Sequence, residues 1–412
     1  MRSKPKLRPP DIWLLGTVFV LVATGVLLVF DASYSKAVDA KWANYDTWYF
    51  AKRQLVFAVL GLFALLVVSQ TRLTTLLKAT FPILIVAFVS LVAVLIIGTA
   101  KNGARRWIDI GPVSFQPSEL AKIALVLYLA ALLTQRRNML KRLSGKWVGP
   151  LMVVGLLTIL ILAGRDLGTA IALVGTCFVM FFAAGARKRH LFGAGALGCA
   201  AAYVLIRIEP YRMERIKTWL DPWRDPYGEG YQIIHSLIAH GTGGMFGVGL
   251  CEGREKTYLP AASTDFIFST LAEEAGLIGA LILLFLFAIV VYRGLDIARR
   301  SKSTYANLLA VGATSVIGLQ ALINIAVASS AIPATGIPLP FISYGGSSLL
   351  FALIAVGALL AASRQVDVEL EDRELYENSY NGWRDGRAHI PRDKRRSGDS
   401  RRKTGRRAVV HR

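Results

Sequence analysis

The chain has 412 residues, of which 54% are hydrophobic and 18% are charged, and its formal net charge is +21. So few charged side chains cannot cover a water-facing surface, which excludes an ordinary soluble protein and places the chain in a bilayer. The excess of lysine and arginine lies mostly in short loops and in the tail. Membrane topology and anionic lipid account for it there without a nucleic-acid partner.

Apolar windows predict ten membrane-spanning helices, since a helix needs about 20 apolar residues to cross the hydrocarbon. The windows cover residues 12–30, 54–69, 77–98, 118–133, 148–163, 169–186, 191–206, 266–292, 306–329 and 343–363. We therefore expect an all-α polytopic membrane domain over residues 12–363. A short N-terminus over 1–11 precedes it, and a basic, disordered tail over 364–412 follows.

Lysine and arginine are concentrated in alternate loops. The basic set comprises the N-terminus and residues 72–78, 136–146, 187–190 and 292–302. Because cytoplasmic loops of membrane proteins carry the excess of positive charge, both termini are predicted to be cytoplasmic. The tail is then either a solvated, lipid-attracted segment or a segment that docks a partner.

Two loops on the predicted outer side are candidates for function, because irregular polar backbone at membrane depth tends to line a cavity. The first covers residues 100–119 and contains Arg105, Arg106 and Trp107. The second covers residues 207–265, is too long to be only a connection, and ends at Asp265. Trp107 is either an interfacial belt residue or part of the cavity wall.

Ionisable side chains inside a span are costly, so each suggests a function. Lys122 lies about 7 Å into its helix from the outer end, at a depth similar to that of Asp265. One hypothesis is that Lys122 holds the Asp265 carboxylate; the alternative is that it pairs with Glu119, three residues earlier on the same face. Arg105, Arg106, Arg254 and Lys256 form a candidate cationic rim suited to phosphate.

Other familiar chemistry is not indicated. The spacing of His235 and His240 does not suit a metal pair on one helical face. The glycine-rich GTGGMFGVG has no P-loop Lys-Ser/Thr and follows no strand. Gln320 and Asn324, one turn apart in the ninth window, are predicted to make interhelical hydrogen bonds.

Five motifs, in order, resemble the SEDS family (shape, elongation, division, sporulation), the membrane peptidoglycan polymerases that include FtsW, SpoVE and RodA. They are GARRWIDIGPVSFQPSELAK, DLGTAI, WLDPWRDPYGEGYQIIHSLIAHGTGGMFGVGL, YLPAASTDFIFSTLAEEAGLIG and GIPLPFISYGGSS. The resemblance extends to residue 363. GYQ at 230–232 and GVGL at 247–250 look more like the FtsW/SpoVE branch than the RodA branch.

The resemblance implies a ten-span, GT-C-like glycosyltransferase that polymerises lipid II on the outer face of the bacterial cytoplasmic membrane. It implies that Asp265 is the essential aspartate, that Arg106 and Trp107 are the family's Arg-Trp pair, and that Lys122 is its membrane lysine. Expected partners are lipid II, a class B penicillin-binding protein and other divisome membrane proteins. A divalent cation, Mg²⁺ or Mn²⁺, is a further family expectation.

The chemistry fits these residues. Joining an α-linked donor in a β-1,4 bond is a single inverting displacement, which needs one base for the acceptor hydroxyl and positive charge for the departing pyrophosphate. Asp265 is predicted to be the base and the Arg/Lys rim to supply the charge.

Three positions depart from the family pattern. Ala261 stands where a glutamate is common, Arg165 where proline is common, and Cys251 where glycine is usual. Any second acidic role would then either pass to Glu252, Glu255 or Glu273 or be absent. Three other functions remain open at this point: a lipid II flippase or other polyprenol-lipid transporter, an elongation-type polymerase, and a non-catalytic divisome scaffold.

Overall fold

The computed structural model describes residues 9–38, 41, 45–101, 104–111, 113–135 and 148–364. The predicted basic tail after Arg364 and the inner loop 136–146 lie outside these residues. Within them the helices are α1 (Ile12–Val38), α2 (Tyr49–Gln70), α3 (Leu73–Ile97), α4 (Pro117–Gln135), α5 (Val148–Ala163), α6 (Leu167–Ala183), α7 (Lys188–Ile208), α8 (Pro210–Leu220), α9 (Tyr231–Gly243), α10 (Glu255–Tyr258), α11 (Ile267–Arg300), α12 (Thr304–Ala328) and α13 (Gly346–Arg364).

Eight helices in the described part of the chain are long and apolar enough to cross a membrane: α1, α2, α3, α4, α7, α11, α12 and α13. The remaining two predicted windows form α5 and α6, which are apolar but have 16 and 17 residues. The chain is therefore a multi-pass, helical membrane protein. The count of ten spans stays a prediction.

Burial separates central from peripheral helices. Within the best 18-residue apolar window, 78% of α4 and 72% each of α12 and α13 is buried, against 22% of α3 and 6% of α7. Peripheral helices can expose apolar side chains because lipid tails are as apolar as leucine. The polar side chains that need protein partners therefore collect around α4, α12 and α13.

A small antiparallel sheet fills the loop between α3 and α4. Its strands are β1 (Thr99–Lys101), β2 (Ala104–Ile110) and β3 (Val113–Phe115), in the order β1-β2-β3. Trp107 pairs with Thr99, and Ile108 pairs with Phe115. One step along β1, from Thr99 to Ala100, matches two steps along β2, from Trp107 to Arg105, so Arg106 is the extra residue of a β-bulge, a feature that re-aims a side chain.

The long loop after α7 is built from α8, α9 and α10 with a short 3₁₀ helix between the first two. It runs against α11, which is broken near its start. Gly276 has φ +65° and ψ −166°, and this divides α11 into a half-helix over residues 267–275 and a span over 277–300. Residues with a side chain rarely adopt such a φ, so glycine suits the break.

The glycine-rich segment 243–249 supplies backbone partners at this break. The amides of Leu277 and Ile278 donate to the carbonyls of Gly244 and Met245, at 2.9 and 3.2 Å. In the other direction, the amide of Val248 donates to the carbonyl of Glu273 at 3.0 Å. Irregular backbone at membrane depth needs such partners, and the glycine-rich segment supplies them at the break.

A second irregular segment, residues 329–345, connects α12 to α13. Its Phe341 is 1% exposed and stacks on Phe287 of α11, with the ring centroids 6.5 Å apart. Gln320 donates to the carbonyl of Pro338 and Asn324 to that of Ile337, at 3.0 and 2.7 Å. The predicted interhelical hydrogen bonds are confirmed for Gln320, which accepts from Lys122 of α4 at 2.5 Å, but not for Asn324, whose side-chain amide donates to the loop carbonyls of Asp265 and Ile337.

Candidate active site

Asp265 lies at the base of the long loop, two residues before the half-helix of α11. Its carbonyl accepts a hydrogen bond from the side-chain amide of Asn324 at 2.9 Å. The two residues before it are also fixed, since Ser343 donates to the carbonyl of Thr264 at 2.5 Å and the amide of Tyr344 donates to that of Ser263 at 2.8 Å. The backbone that carries the carboxylate is therefore held by α12 and by the segment before α13.

The Asp265 carboxylate itself is half-buried and has no hydrogen-bond partner among the described residues. It faces a gap next to Gly336, whose φ is +74°. A Cβ atom at Gly336 would lie 3.6 Å from Asp265 Oδ2 and 3.5 Å from Arg106 Nη1. The acid and the guanidinium therefore face the same small space without forming an ion pair.

Burial raises the pKa of Asp265 to about 6, and the charges of Arg106 and Arg215 only partly offset that effect. The nearby carboxylate of Asp166 raises the pKa slightly further. An acid with this pKa is largely ionised at neutral pH and accepts a proton more readily than an ordinary aspartate.

Arg106 is held on its far side by the turn that starts α6. Its Nη1 lies 4.0 Å from Asp166 Oδ1, and its Nη2 donates to the carbonyl of Arg165. Asp166 is the N-cap of α6 and accepts from the amide of Thr169 at 3.2 Å. The DLGT motif thus combines a helix cap with the support for this arginine.

Arg215, on α8, is the second cation near Asp265, and sequence reasoning missed it. Its Nη1 donates to the carbonyl of Ala334 at 2.6 Å, and its guanidinium lies over the ring of Tyr211, 4.7 Å from the centroid. The sequence signal was the YRMER stretch inside the long outer loop. Its contact with Ala334 spans 119 residues and could not be read from spacing.

The prediction that Lys122 holds Asp265 is wrong. Lys122 is 3% exposed, and its Nζ lies 2.9 Å from Glu119 Oε1 and 2.5 Å from Gln320 Oε1. The alternative Glu119–Lys122 pair is confirmed. The buried ammonium is thus paired with one carboxylate, on α4, and one side-chain amide oxygen, on α12, within the helix core.

The predicted cationic rim is also wrong in three of its four members. Arg105 pairs with Ala100 of β1 and donates to the carbonyl of Leu95 at 3.1 Å. Trp107 pairs with Thr99, the neighbour of Ala100 on β1, so Trp107 and Arg105 lie on opposite faces of the sheet; Trp107 is half-buried. The charges that act on the Asp265 carboxylate do not include that of Arg105.

Lys256 is buried between two carboxylates, Asp31 of α1 and Glu274 of the half-helix, with the second contact at 2.6 Å. Burial lowers its pKa, but the hydrogen bonds to the two acids outweigh this and leave the pKa of Lys256 raised. Arg254 is exposed and lines a different cavity. Neither residue contacts the Asp265 cluster.

The residues described here do not fit the divalent cation that the resemblance implies. They contain no group of three or more His, Cys, Asp or Glu side chains placed to hold a metal ion. The two carboxylates nearest each other at the site, Asp265 and Asp166, share it with two guanidinium groups. We therefore assign no step to a metal.

Known proteins resemble this chain in sequence and in structure. The family model described as "Cell cycle protein", which covers FtsW, RodA and SpoVE, matches residues 12–368. Stage V sporulation protein E of Bacillus subtilis (strain 168) is 42% identical over 365 residues, 87% of this chain and 98% of that protein. The probable peptidoglycan glycosyltransferase FtsW of Geobacter sp. (strain M18) is 38% identical over 86% of this chain and 97% of its own length.

Two solved structures agree with these relatives. A chain of a peptidoglycan synthase complex that coordinates polymerization and crosslinking superposes with a TM-score of 0.72 at 31% identity, covering 87% of this chain and 99% of that one. The rod shape determining protein RodA of Thermus thermophilus superposes with a TM-score of 0.64 at 28% identity, covering 87% and 98%. The protein with the Asp265 cluster therefore belongs to the FtsW/RodA/SpoVE family.

Proposed function

We propose that this protein is a peptidoglycan glycosyltransferase that joins lipid II units into β-1,4-linked glycan strands and releases undecaprenyl pyrophosphate. The enzyme class is supported by the curated relatives with that activity in their names. The observation that carries the proposal for this chain is the Asp265 carboxylate, which has two cations near it and no hydrogen-bond partner in the described structure.

In the proposed step, Asp265 accepts the proton of the acceptor's 4-hydroxyl as that oxygen attacks the anomeric carbon of the donor. The new carbon–oxygen bond forms on one face of the sugar while the bond to the pyrophosphate breaks on the other. One displacement inverts the α-linked donor to a β product and needs no covalent intermediate. General-base catalysis of this kind contributes typically about 10²–10⁴-fold.

The two arginines stabilise the charge that develops on the departing pyrophosphate. Each is oriented by a partner other than Asp265. Arg106 is held by Asp166 and the carbonyl of Arg165, and Arg215 by the carbonyl of Ala334. Because the arginines are held in this way, they do not close an ion pair with the carboxylate, which stays free to accept a proton.

A role in cell division, with a class B penicillin-binding protein as partner, is the second part of the proposal. The FtsW and stage V sporulation relatives support the division-type assignment. The structural similarity to a synthase complex that couples polymerization to crosslinking supports a transpeptidase partner. We place the site on the outer face of the cytoplasmic membrane with both termini inside, as the distribution of basic loops indicates.

The test is the purified protein, alone and with its cognate penicillin-binding protein, given labelled lipid II. We expect glycan ladders from the wild type, and none from Asp265→Asn or Asp265→Ala protein that inserts normally and still binds its partner. A matched pair, Arg215→Gln and Arg224→Gln, separates the site cation from an exposed arginine of the same loop. Normal polymerisation by Asp265→Asn would overturn the mechanism.

A further inference from the structure

A second polar cavity lies beside the half-helix of α11, away from the Asp265 cluster. It has a volume of about 380 Å³ and is lined by Thr242, Val248, Glu252, Arg254, Glu255 and Glu273. These three glutamates are the candidates for the second acidic role, because Ala261 stands where the family commonly has a glutamate. The long loop therefore brings three acids and one arginine to a single space on the same outer segment as Asp265.

Two of the three glutamates are already occupied. Glu273 accepts hydrogen bonds from the backbone amides of Arg254 and Glu255, at 2.8 and 3.1 Å. Glu255 contacts the ring nitrogen of His235 at 2.5 Å, and that ring stacks on Tyr258. These groups build the wall of the cavity and leave little capacity for a ligand.

Glu252 and Arg254 are different. Both side chains are exposed, and neither has a side-chain partner among the described residues. They present one negative and one positive group to the same cavity. A lone anion would meet the carboxylate of Glu252 and a lone cation the guanidinium of Arg254, so the pair matches a ligand that carries both an ammonium and a carboxylate.

The position of the cavity relative to Asp265 suits a substituent of the same substrate. Glu273 lies six residues into the half-helix, roughly 9 Å along its axis from Ile267. An extended five-residue peptide spans at most roughly 18 Å. A peptide attached to a sugar that reacts at Asp265 is therefore long enough to span this separation along the half-helix.

We propose that this cavity binds the stem peptide of the lipid II substrate, with the side-chain ammonium of its diamino acid at Glu252 and a peptide carboxylate at Arg254. This assignment rests on the proposed function, because it takes the peptidoglycan precursor as the substrate. The guanidinium of Arg254 presents two parallel donors to a carboxylate. The cavity thus selects the peptide part of the substrate while Asp265 acts on the sugar.

The test uses a soluble, lipid-free disaccharide pentapeptide with lysine at the third position, and the same compound with the lysine amine acetylated. Binding to the detergent-solubilised full-length protein is measured by isothermal titration calorimetry. We expect Glu252→Gln and Arg254→Gln each to weaken binding of the unmodified compound about tenfold, the effect of losing one charge-assisted hydrogen bond. Matched controls on the same loop, Glu229→Gln and Arg224→Gln, should bind like the wild type.

The acetylated compound identifies the contact. It should bind the wild type about tenfold more weakly, and Glu252→Gln should weaken its binding no further, whereas Arg254→Gln still should. No measurable binding to the wild type, unchanged binding in both variants, or equal losses in the controls would overturn the peptide site. Glycan ladders are scored separately, so wild-type protein that binds the peptide but makes no glycan would refute the proposed function and leave the peptide site standing.

Discussion

Replacing Gly336 by alanine should fill the gap between Asp265 and Arg106. The new Cβ atom would lie 3.6 Å from the carboxylate oxygen and 3.5 Å from the guanidinium nitrogen. Both distances are ordinary van der Waals contacts, so the protein itself accommodates the methyl group. The space that it takes is the space in which the reacting hydroxyl must approach Asp265.

The substitution should change both the free energy of unfolding and the reaction rate. The backbone at Gly336 has φ +74°, where a residue with a side chain is strained by roughly 1–2 kcal/mol. This lowers the free energy of unfolding. With substrate bound, the added methyl group overfills the site, which costs about 1–3 kcal/mol. If this cost raises the free energy of the transition state, the reaction slows roughly 5- to 150-fold.

Gly185→Ala is the matched control, because Gly185 has φ +88° and open space where its Cβ would be. Thermal unfolding in detergent measures the strain, and glycan ladders from labelled lipid II measure the rate. We expect the two variants to lose similar stability and Gly336→Ala alone to lose the rate. A wild-type rate for Gly336→Ala, or an equal loss of rate in Gly185→Ala, would refute the assignment of this gap to the substrate.

Three further predictions concern single groups. Because Asp265 must be ionised to accept a proton and its pKa is about 6, the polymerisation rate should fall about tenfold per pH unit below pH 6 and level off above it; a flat pH–rate profile from pH 5 to 7 contradicts the base assignment. Lys122→Met leaves Glu119 buried and unpaired, and it should lower the free energy of unfolding by about 3–5 kcal/mol. The double variant Lys122→Met with Glu119→Gln should recover much of this loss, as measured by thermal denaturation. Cys251→Gly should raise the unfolding free energy, because Cys251 has φ +68° and glycine adopts that backbone without strain; an unchanged or lower melting temperature would show that the Cys251 thiol contributes more than the strain costs.

The membrane architecture could be predicted because lipid imposes a length and an apolar composition on each crossing helix. The predicted windows match the observed helices α1 to α7 and α11 to α13, with ends that differ by up to eight residues. The break at Gly276 was not predicted. Its backbone partners lie in the glycine-rich segment 243–249, about 30 residues earlier, and no local pattern links the two.

The site was predictable in part for a similar reason. Asp265 and Arg106 lie in irregular outer loops, where polar groups indicate function. Arg215 and Asp166 reach the same cluster through contacts with segments 50 or more residues away. The depth of Lys122 along its helix did not predict its partners, because depth does not identify the neighbouring helix that supplies them. One partner, Gln320, lies 198 residues away in the sequence.

The charged groups Lys122, Lys256 and Asp265 divide into two classes by their partners. Lys122 and Lys256 are each closed into carboxylate contacts shorter than 3 Å, so their charges are neutralised and stabilise packing between helices. Asp265 is left without such a contact even though two arginines lie near it, because backbone carbonyls and Asp166 orient those arginines first. Burial disfavours the charged carboxylate, and because no ion pair offsets that cost, the pKa of Asp265 rises into the range of a useful base. The lack of a partner also leaves the carboxylate oxygens free for a sugar hydroxyl.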